Sequence, residues 1–204
     1  MHEIFKGIKV VVFDVMGVII SNPSLVKDGL YPLYKEKYSY EYVKGLYDDV
    51  RANPQGDSSL WQGLGELDHD LARERFLNMY ELTEGFVDFK NFLKENGFKM
   101  AILSNMPKEW GKFFYKKYNL SEDFNPMVFS GKVGVSKPDY GKYIEFLKIK
   151  DTNSSNILFI DDKLENLKSA SLVSIKTVHF DRGKNEKDLD FIPDCTNTSF
   201  SELM

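Results

Sequence analysis

The stretch Ile8 to Ile20, Ile-Lys-Val-Val-Val-Phe-Asp-Val-Met-Gly-Val-Ile-Ile, constrains the fold most. Val10 to Phe13 is an unbroken β-branched and aromatic run, with no polar residue to face water. A half-exposed strand would alternate; a strand covered on both faces, as in a parallel sheet between helices, need not. The run ends on an acid, Asp14, and Gly17 follows where the chain must turn. Ligands of open α/β sheets gather outside the carboxyl ends of the strands, so Asp14 is a candidate nucleophile as well as a turn former.

The rest of the chain repeats the arrangement. Phe98 to Leu103 predicts a second buried strand ending on Ser104-Asn105, and Asn156 to Ile160 a third ending on Asp161-Asp162. Met127 to Phe129 reads as a short strand, followed by a Gly-containing loop from Ser130 to Pro138 that carries Lys137. Ser174 to Val178 reads as the last strand, and from Asp181 the chain is expected to be polar loop, tacked down by Phe200 and Leu203. Between these segments lie helical patterns: Phe86, Phe89 and Leu93, closed by Asn96-Gly97; Pro107 to Tyr118; Tyr140 to Leu147; Lys163 to Leu172. Strands alternating with helices indicate a doubly wound parallel sheet.

Residues 24–82 break the alternation. Leu30, Leu33 and Tyr34, then Tyr42, Val43, Leu46 and Tyr47, and later Leu71, Phe76, Leu77 and Tyr80 recur at helical spacing, and Asn53 to Asp57 is a turn cluster between the blocks. A segment of this length is too long for one crossover. The division expected is an α/β core of residues 1–20 and 84–204, with an inserted α-helical cap domain of residues 21–83 over the mouth of the sheet.

Composition excludes several functions. The 27 basic and 31 acidic residues are interspersed and sum to -4, which offers no basic face to nucleic acid. No apolar run approaches the ~18 residues of a membrane span, and the amino terminus lacks a secretory pattern. The one cysteine, Cys195, fits a reducing compartment, so a soluble, cytoplasmic protein is expected. His2, His69 and His179 stand at no zinc-ligand spacing, and no nucleophile elbow, P-loop or dinucleotide fingerprint occurs. Trp61 and Trp110 read as core rather than as walls of a site.

The strand ends bring together an acid, a hydroxyl, a cation and two further acids. A carboxylate at Asp14 can attack phosphorus; a divalent cation held by Asp14 with Asp161 and Asp162 screens the like charges; Lys137 and Ser104 can hold phosphoryl oxygens. Taken singly, Ser104-Asn105 and Asp161-Asp162 could merely cap the helices that follow.

In Phe-Asp-Val-Met-Gly-Val (13–18), Ile-Leu-Ser-Asn (102–105), Ser-Lys-Pro-Asp (136–139) and Phe-Ile-Asp-Asp-Lys-Leu-Glu-Asn-Leu (159–167), in that order, the chain resembles the haloacid dehalogenase superfamily. The resemblance covers roughly residues 8–180, and the helical insertion lies where that superfamily's C1-type cap sits. It implies Asp14 as nucleophile, Ser104, Asn105 and Lys137 as phosphate-binding residues, and Mg²⁺ held by Asp14, Asp161, Asp162 and the backbone carbonyl of Met16. Asn166 would support the metal loop. The substrate implied is a small phosphorylated metabolite.

Two positions depart from the superfamily's pattern. Its phosphatases usually carry a general acid-base aspartate two residues after the nucleophile, where this chain has Met16, and a threonine four after it, where this chain has Val18. Loss of a general acid-base costs ~10²- to 10⁴-fold. Consistent outcomes are a phosphatase of substrates with good leaving groups, such as an anomeric or acyl phosphate, with a sugar phosphate among the candidates, a phosphate- or partner-binding protein, or, less favoured, a 2-haloacid dehalogenase. Dehalogenases usually have tyrosine at the Met16 position and lack the acid pair.

Overall fold

The computed structural model describes residues 2–21, 24–120, 122–150, 152–181, 183 and 188–204. Six strands form one sheet: β1 Val10–Phe13, β2 Lys99–Ser104, β3 Phe124–Phe129, β4 Ile157–Asp161, β5 Lys176–Phe180 and β6 Cys195–Asn197. Their order is β3-β2-β1-β4-β5-β6, every neighbouring pair is parallel, and β1 lies at the centre. This is the doubly wound sheet expected from the sequence.

The central run is buried on both faces, as its composition requires. Val11 and Phe13 join one apolar cluster, Val10 and Val12 the other. Phe13 packs edge-on against Phe86, Phe89 and Phe124, with ring centroids 5.7–6.1 Å apart. The opposite face is covered by α8 (Tyr140–Lys150) and α9 (Leu164–Ser171), which contribute Tyr143, Phe146, Leu167 and Ala170.

Between β1 and β2 the chain is helical: a π-helical turn Val26–Leu30, α1 Tyr31–Tyr34, α2 Tyr40–Arg51, α3 Ser58–Gly63, α4 His69–Leu77 and, after the return to the sheet, α5 Phe86–Glu95. Ser39 caps α2 by accepting from the Tyr42 amide, and Asp68 caps α4 by accepting from that of Leu71. The insertion is joined at a narrow neck, where Ser21 donates to Glu81 and Thr83 to Ile19 through backbone bonds of 3.0 and 2.8 Å. α6 (Lys108–Lys117) follows β2, and α7 (Ser130–Val133) turns a single time where a loop was expected.

Other expectations need correction. Leu33, Tyr42 and Leu71 do not join the buried helical face; they are 51%, 45% and 42% exposed. Tyr42 instead stacks on Tyr38 and donates to the Gly63 carbonyl. The stretch after Asp181 is not all loop, because β6 adds a sixth strand whose three residues, Cys-Thr-Asn, carry too short a pattern to read. Phe200 and Leu203 do fasten this end: both are fully buried, and Phe200 stacks on Phe180 and Phe89 with centroids 4.6 and 5.0 Å apart. Among the described residues no helix is long and apolar enough to cross a membrane.

Candidate active site

Parallel pairing sets Phe13 beside Ile102 on one side and Ile160 on the other. The polar residues just beyond these partners therefore emerge together at the carboxyl edge. Asp14 follows β1 and its amide donates to the Ile160 carbonyl at 2.9 Å. Ser104 ends β2, Asn105 follows it, Asp161 ends β4 and Asp162 follows that. Lys137 arrives from the loop beyond β3 and α7.

Lys137 is the centre of the arrangement. Its side chain is 1% exposed, and Nζ lies 3.0 Å from Asp14 Oδ1 and 2.6 Å from Asp161 Oδ2. Burial alone would lower its pKa, but Asp14 and Asp161 outweigh burial and hold the ammonium above its ordinary value. Its backbone is clamped as well: Asn105 accepts from the Lys137 amide at 2.8 Å and donates to the Lys137 carbonyl at 2.7 Å. The Asn105 side chain thus fixes the lysine loop while its residue lines the cavity.

Asp161 is engaged on both oxygens. Besides Lys137 it accepts from Asn166 Nδ2, 3.0 Å from each oxygen, and from the Lys163 amide at 2.9 Å. Burial pushes its carboxyl above the ordinary range; Lys137 pulls it back, and Asp14 adds to the push. Asp162 lies under the β1 loop. Gly17 is left-handed (φ +84°), and a Cβ there would sit 2.6 Å from the Asp162 carboxylate carbon, so the close approach requires glycine.

Oxygens of Asp14, Asp161 and Asp162, all three buried, lie within 4.8 Å of one another. Three carboxylates gathered this closely repel one another in a water-poor site. A divalent cation with a preference for oxygen fits that donor set and its charge. Met16 borders the same cavity, with only 6% of its surface exposed.

The cavity encloses about 200 Å³, below the ~300–1,000 Å³ of drug-sized sites. Asp14, Ser104, Asn105, Lys137 and Asn166 form its floor. Its other wall is a feature the sequence reading missed. Tyr40, Lys44, Tyr47, Asp48 and Arg51 of α2 line it, spaced as one helical stripe. The signal was present in that spacing, but only the fold says which way the stripe faces. Tyr47 donates to the Asn105 carbonyl at 3.3 Å.

Two further polar features escaped the sequence reading. Asp57, 1% exposed, accepts from Trp61 Nε1, Trp110 Nε1 and Arg73 Nε at 2.7 Å and from Arg73 Nη2 at 2.6 Å. This ties the insertion to α6, with both tryptophans fully buried as expected. Burial would raise the Asp57 carboxyl, but the hydrogen bonds from Arg73, Trp61 and Trp110 outweigh it and hold it below its ordinary value. Lys142 of α8 is fully buried, and its Nζ has no hydrogen-bond partner among the described residues. Burial, aided by Lys137 and opposed by Asp14, pushes its pKa down to about 7.

Comparison with known proteins bears on the fold and the family. The chain is 23% identical over 130 residues to phosphoglycolate phosphatase 1 of Pseudomonas aeruginosa, covering 60% of this chain but 48% of that one, so it spans about half the length of that relative. It is 21% identical over 180 residues to a phosphorylated carbohydrates phosphatase of Thermotoga maritima, covering 83% of each. A crystal structure of an HAD phosphatase from Thermococcus onnurineus superposes with a TM-score of 0.73 at 17% identity, over 96% of each chain. The L-2-haloacid dehalogenase of Xanthobacter autotrophicus superposes with a TM-score of 0.69 at 16% identity, also over 96% of each, so the fold is common to both chemistries. A family model described as haloacid dehalogenase-like hydrolase matches residues 8–173. The chain belongs to the haloacid dehalogenase-like hydrolase family.

Proposed function

We propose that the protein is a Mg²⁺-dependent phosphatase of a small phosphorylated metabolite, a sugar phosphate among the candidates, working through an aspartyl-phosphate on Asp14. The observation that carries this reading is the buried Lys137 ammonium, 3.0 Å from Asp14 and clamped in place by Asn105 at the floor of a small cavity. A fixed cation beside a carboxylate suits a phosphoryl group whose oxygens need a donor while the carboxylate attacks. Phosphatase relatives support the same chemistry.

In this reading an Asp14 oxygen forms the new bond to phosphorus while the bond to the leaving oxygen breaks, and water then cleaves the acyl phosphate to regenerate the carboxylate. Lys137 and Ser104 hold phosphoryl oxygens, and Asn105 holds Lys137. Asp14, Asp162 and the Met16 carbonyl would hold Mg²⁺, with Asp161 completing the acidic set. Asp161 is already occupied by Lys137, Asn166 and the Lys163 amide, so Asp162 is the better carboxylate donor of the pair. The metal supplies charge neutralisation that lets one anion approach another. Asn166 orients Asp161.

Residues 21–83 serve as a cap over a core of residues 1–20 and 84–204. The α2 stripe along the cavity supports this division, since a cap that closes the site also excludes water. Met16 cannot protonate a leaving group, and the Tyr47 phenol, pushed up by burial, is a poor acid. Substrates whose leaving oxygen needs little protonation are therefore favoured.

Met16 also favours a second reading, a phosphate-binding protein with weakened turnover. Hydrolysis of an acyl or aryl phosphate, with and without Mg²⁺ and with Asp14→Asn as control, separates the two. Metal-dependent turnover that disappears in Asp14→Asn supports the phosphatase. Turnover no higher than the control, in protein that still binds Mg²⁺, supports the binding protein.

A further inference from the structure

The wall of the cavity opposite Lys137 carries charge of its own. Lys44 and Arg51 stand seven residues apart on the α2 stripe, with Asp48 between them, and all three line the cavity that Asp14 and Lys137 floor. Lys44 hydrogen-bonds Asp48, and Arg51 Nε lies 3.6 Å from the same carboxylate. One acid thus serves two cations, so this wall holds a surplus positive charge facing the site. Ordinary surface pairing explains part of it. Arg51 sits in the last turn of α2, where a cation suits the helix dipole, but Lys44 lies mid-helix and has no such reason to be there.

The position of α2 is fixed at two points in its C-terminal half. Ser130 Oγ donates to the Arg51 carbonyl, tying the helix end to α7, and the Tyr47 hydroxyl reaches the Asn105 carbonyl. The two cations therefore stand at a set place relative to the lysine loop. Their side chains are 50% and 39% exposed, free enough to turn from Asp48 to an arriving anion.

We propose that Lys44 and Arg51 form a second anion subsite, so that the substrate carries, besides the phosphoryl group at Asp14, an anionic group at its other end: a carboxylate or a second phosphate. This rests on the phosphatase reading for the identity of the first group. Arg51 can meet either anion with two parallel donors, and Lys44 adds a point charge. Tyr40 and Tyr47 on the same stripe border the space for the short body between the anions.

The test uses three phosphate esters with the same three-carbon body: two monophosphates, whose other ends are a neutral hydroxymethyl and a carboxylate, and a bisphosphate. Their affinities are measured by calorimetry on the full-length Asp14→Asn protein with Mg²⁺, which needs no turnover. An anionic end is expected to bind about tenfold more tightly than the neutral one. That ratio should fall toward one in Lys44→Gln/Arg51→Gln and rise in Asp48→Asn, which releases both cations. A merely structural role for these charges would not move the ratio in opposite directions. Which anionic end wins tells whether the source is a carboxylate or a phosphate. Equal affinities for all three probes overturn the subsite alone, as does a preference that survives the double substitution. No binding of any probe, together with no turnover by the wild type, overturns the phosphatase reading along with it.

Discussion

Two buried carboxylate knots among the described residues differ in one respect. At the seam between the insertion and α6, the single buried carboxylate of Asp57 has two indole donors and a guanidinium that also reaches the exposed Asp70. At the carboxyl edge of the sheet, Lys137 pairs with Asp14 and Asp161, and the buried Asp162 lies close beside them. The first knot is complete by itself and holds two parts together. The second crowds three acids within reach of one another, a cost that a purely structural cluster would have no reason to carry. A lone acid marks the joint; crowded acids mark the site.

Several substitutions sharpen or break this contrast. The largest effect is expected from Lys137→Met, which takes the paired ammonium from the buried Asp14 and Asp161. Breaking a buried pair costs ~3–5 kcal/mol, and urea unfolding without metal should show a loss of that order. Next comes Lys142→Met. Its folded pKa of about 7 lies below the unfolded lysine value of 10.5. Well below pH 7 the lysine is charged in both states, and the burial cost is fully present. As pH rises from 7 toward 10.5 the folded state sheds its proton first, and the cost disappears. The variant should therefore gain at most about 5 kcal/mol at pH 6, shrinking toward zero above pH 10.5. A constant gain at all pH values would contradict a buried charge.

Asp57→Asn should cost about 2 kcal/mol, less than Lys137→Met because Arg73 remains 15% exposed and can rehydrate. If the two knots differ as described, this variant keeps the full stabilisation that Mg²⁺ gives the wild type. The smallest change in stability belongs to Asp162→Asn, below about 1 kcal/mol without metal, since it relieves crowding among acids. Its Mg²⁺-dependent rise in Tm should nevertheless vanish. Mg²⁺ responses that follow Asp57 rather than Asp162 would erase the distinction between the knots.

Much of the core could be read from the chain because local patterns report it. Val10 to Phe13 allows few structures other than a strand covered on both faces, and the polar residues that end β1, β2 and β4 announce the edge where a site forms. The parallel register then does the assembly. What could not be read depends on direction rather than pattern. Tyr40, Lys44, Tyr47, Asp48 and Arg51 share a helical stripe, but helical spacing alone does not tell a wall of a cavity from a solvated face. Asp57 sits in a turn cluster and read as punctuation; its indole partners are four and 53 residues away. Lys142 shares the buried face of α8 with Tyr143 and Phe146, where a lysine breaks the apolar pattern without saying why. The edge strand β6 was invisible because three residues carry no period.

The account turns on Asp14 as the group that takes the phosphoryl. The direct measurement is peptide mass analysis of protein quenched in acid during turnover of an acyl phosphate with Mg²⁺. The account predicts a fraction of the peptide spanning Asp14 heavier by one phosphoryl group, absent in Asp14→Asn and lost when the acid-quenched sample is brought to alkaline pH. Turnover at a measurable rate with that peptide never modified, or modified equally in Asp14→Asn, would contradict it.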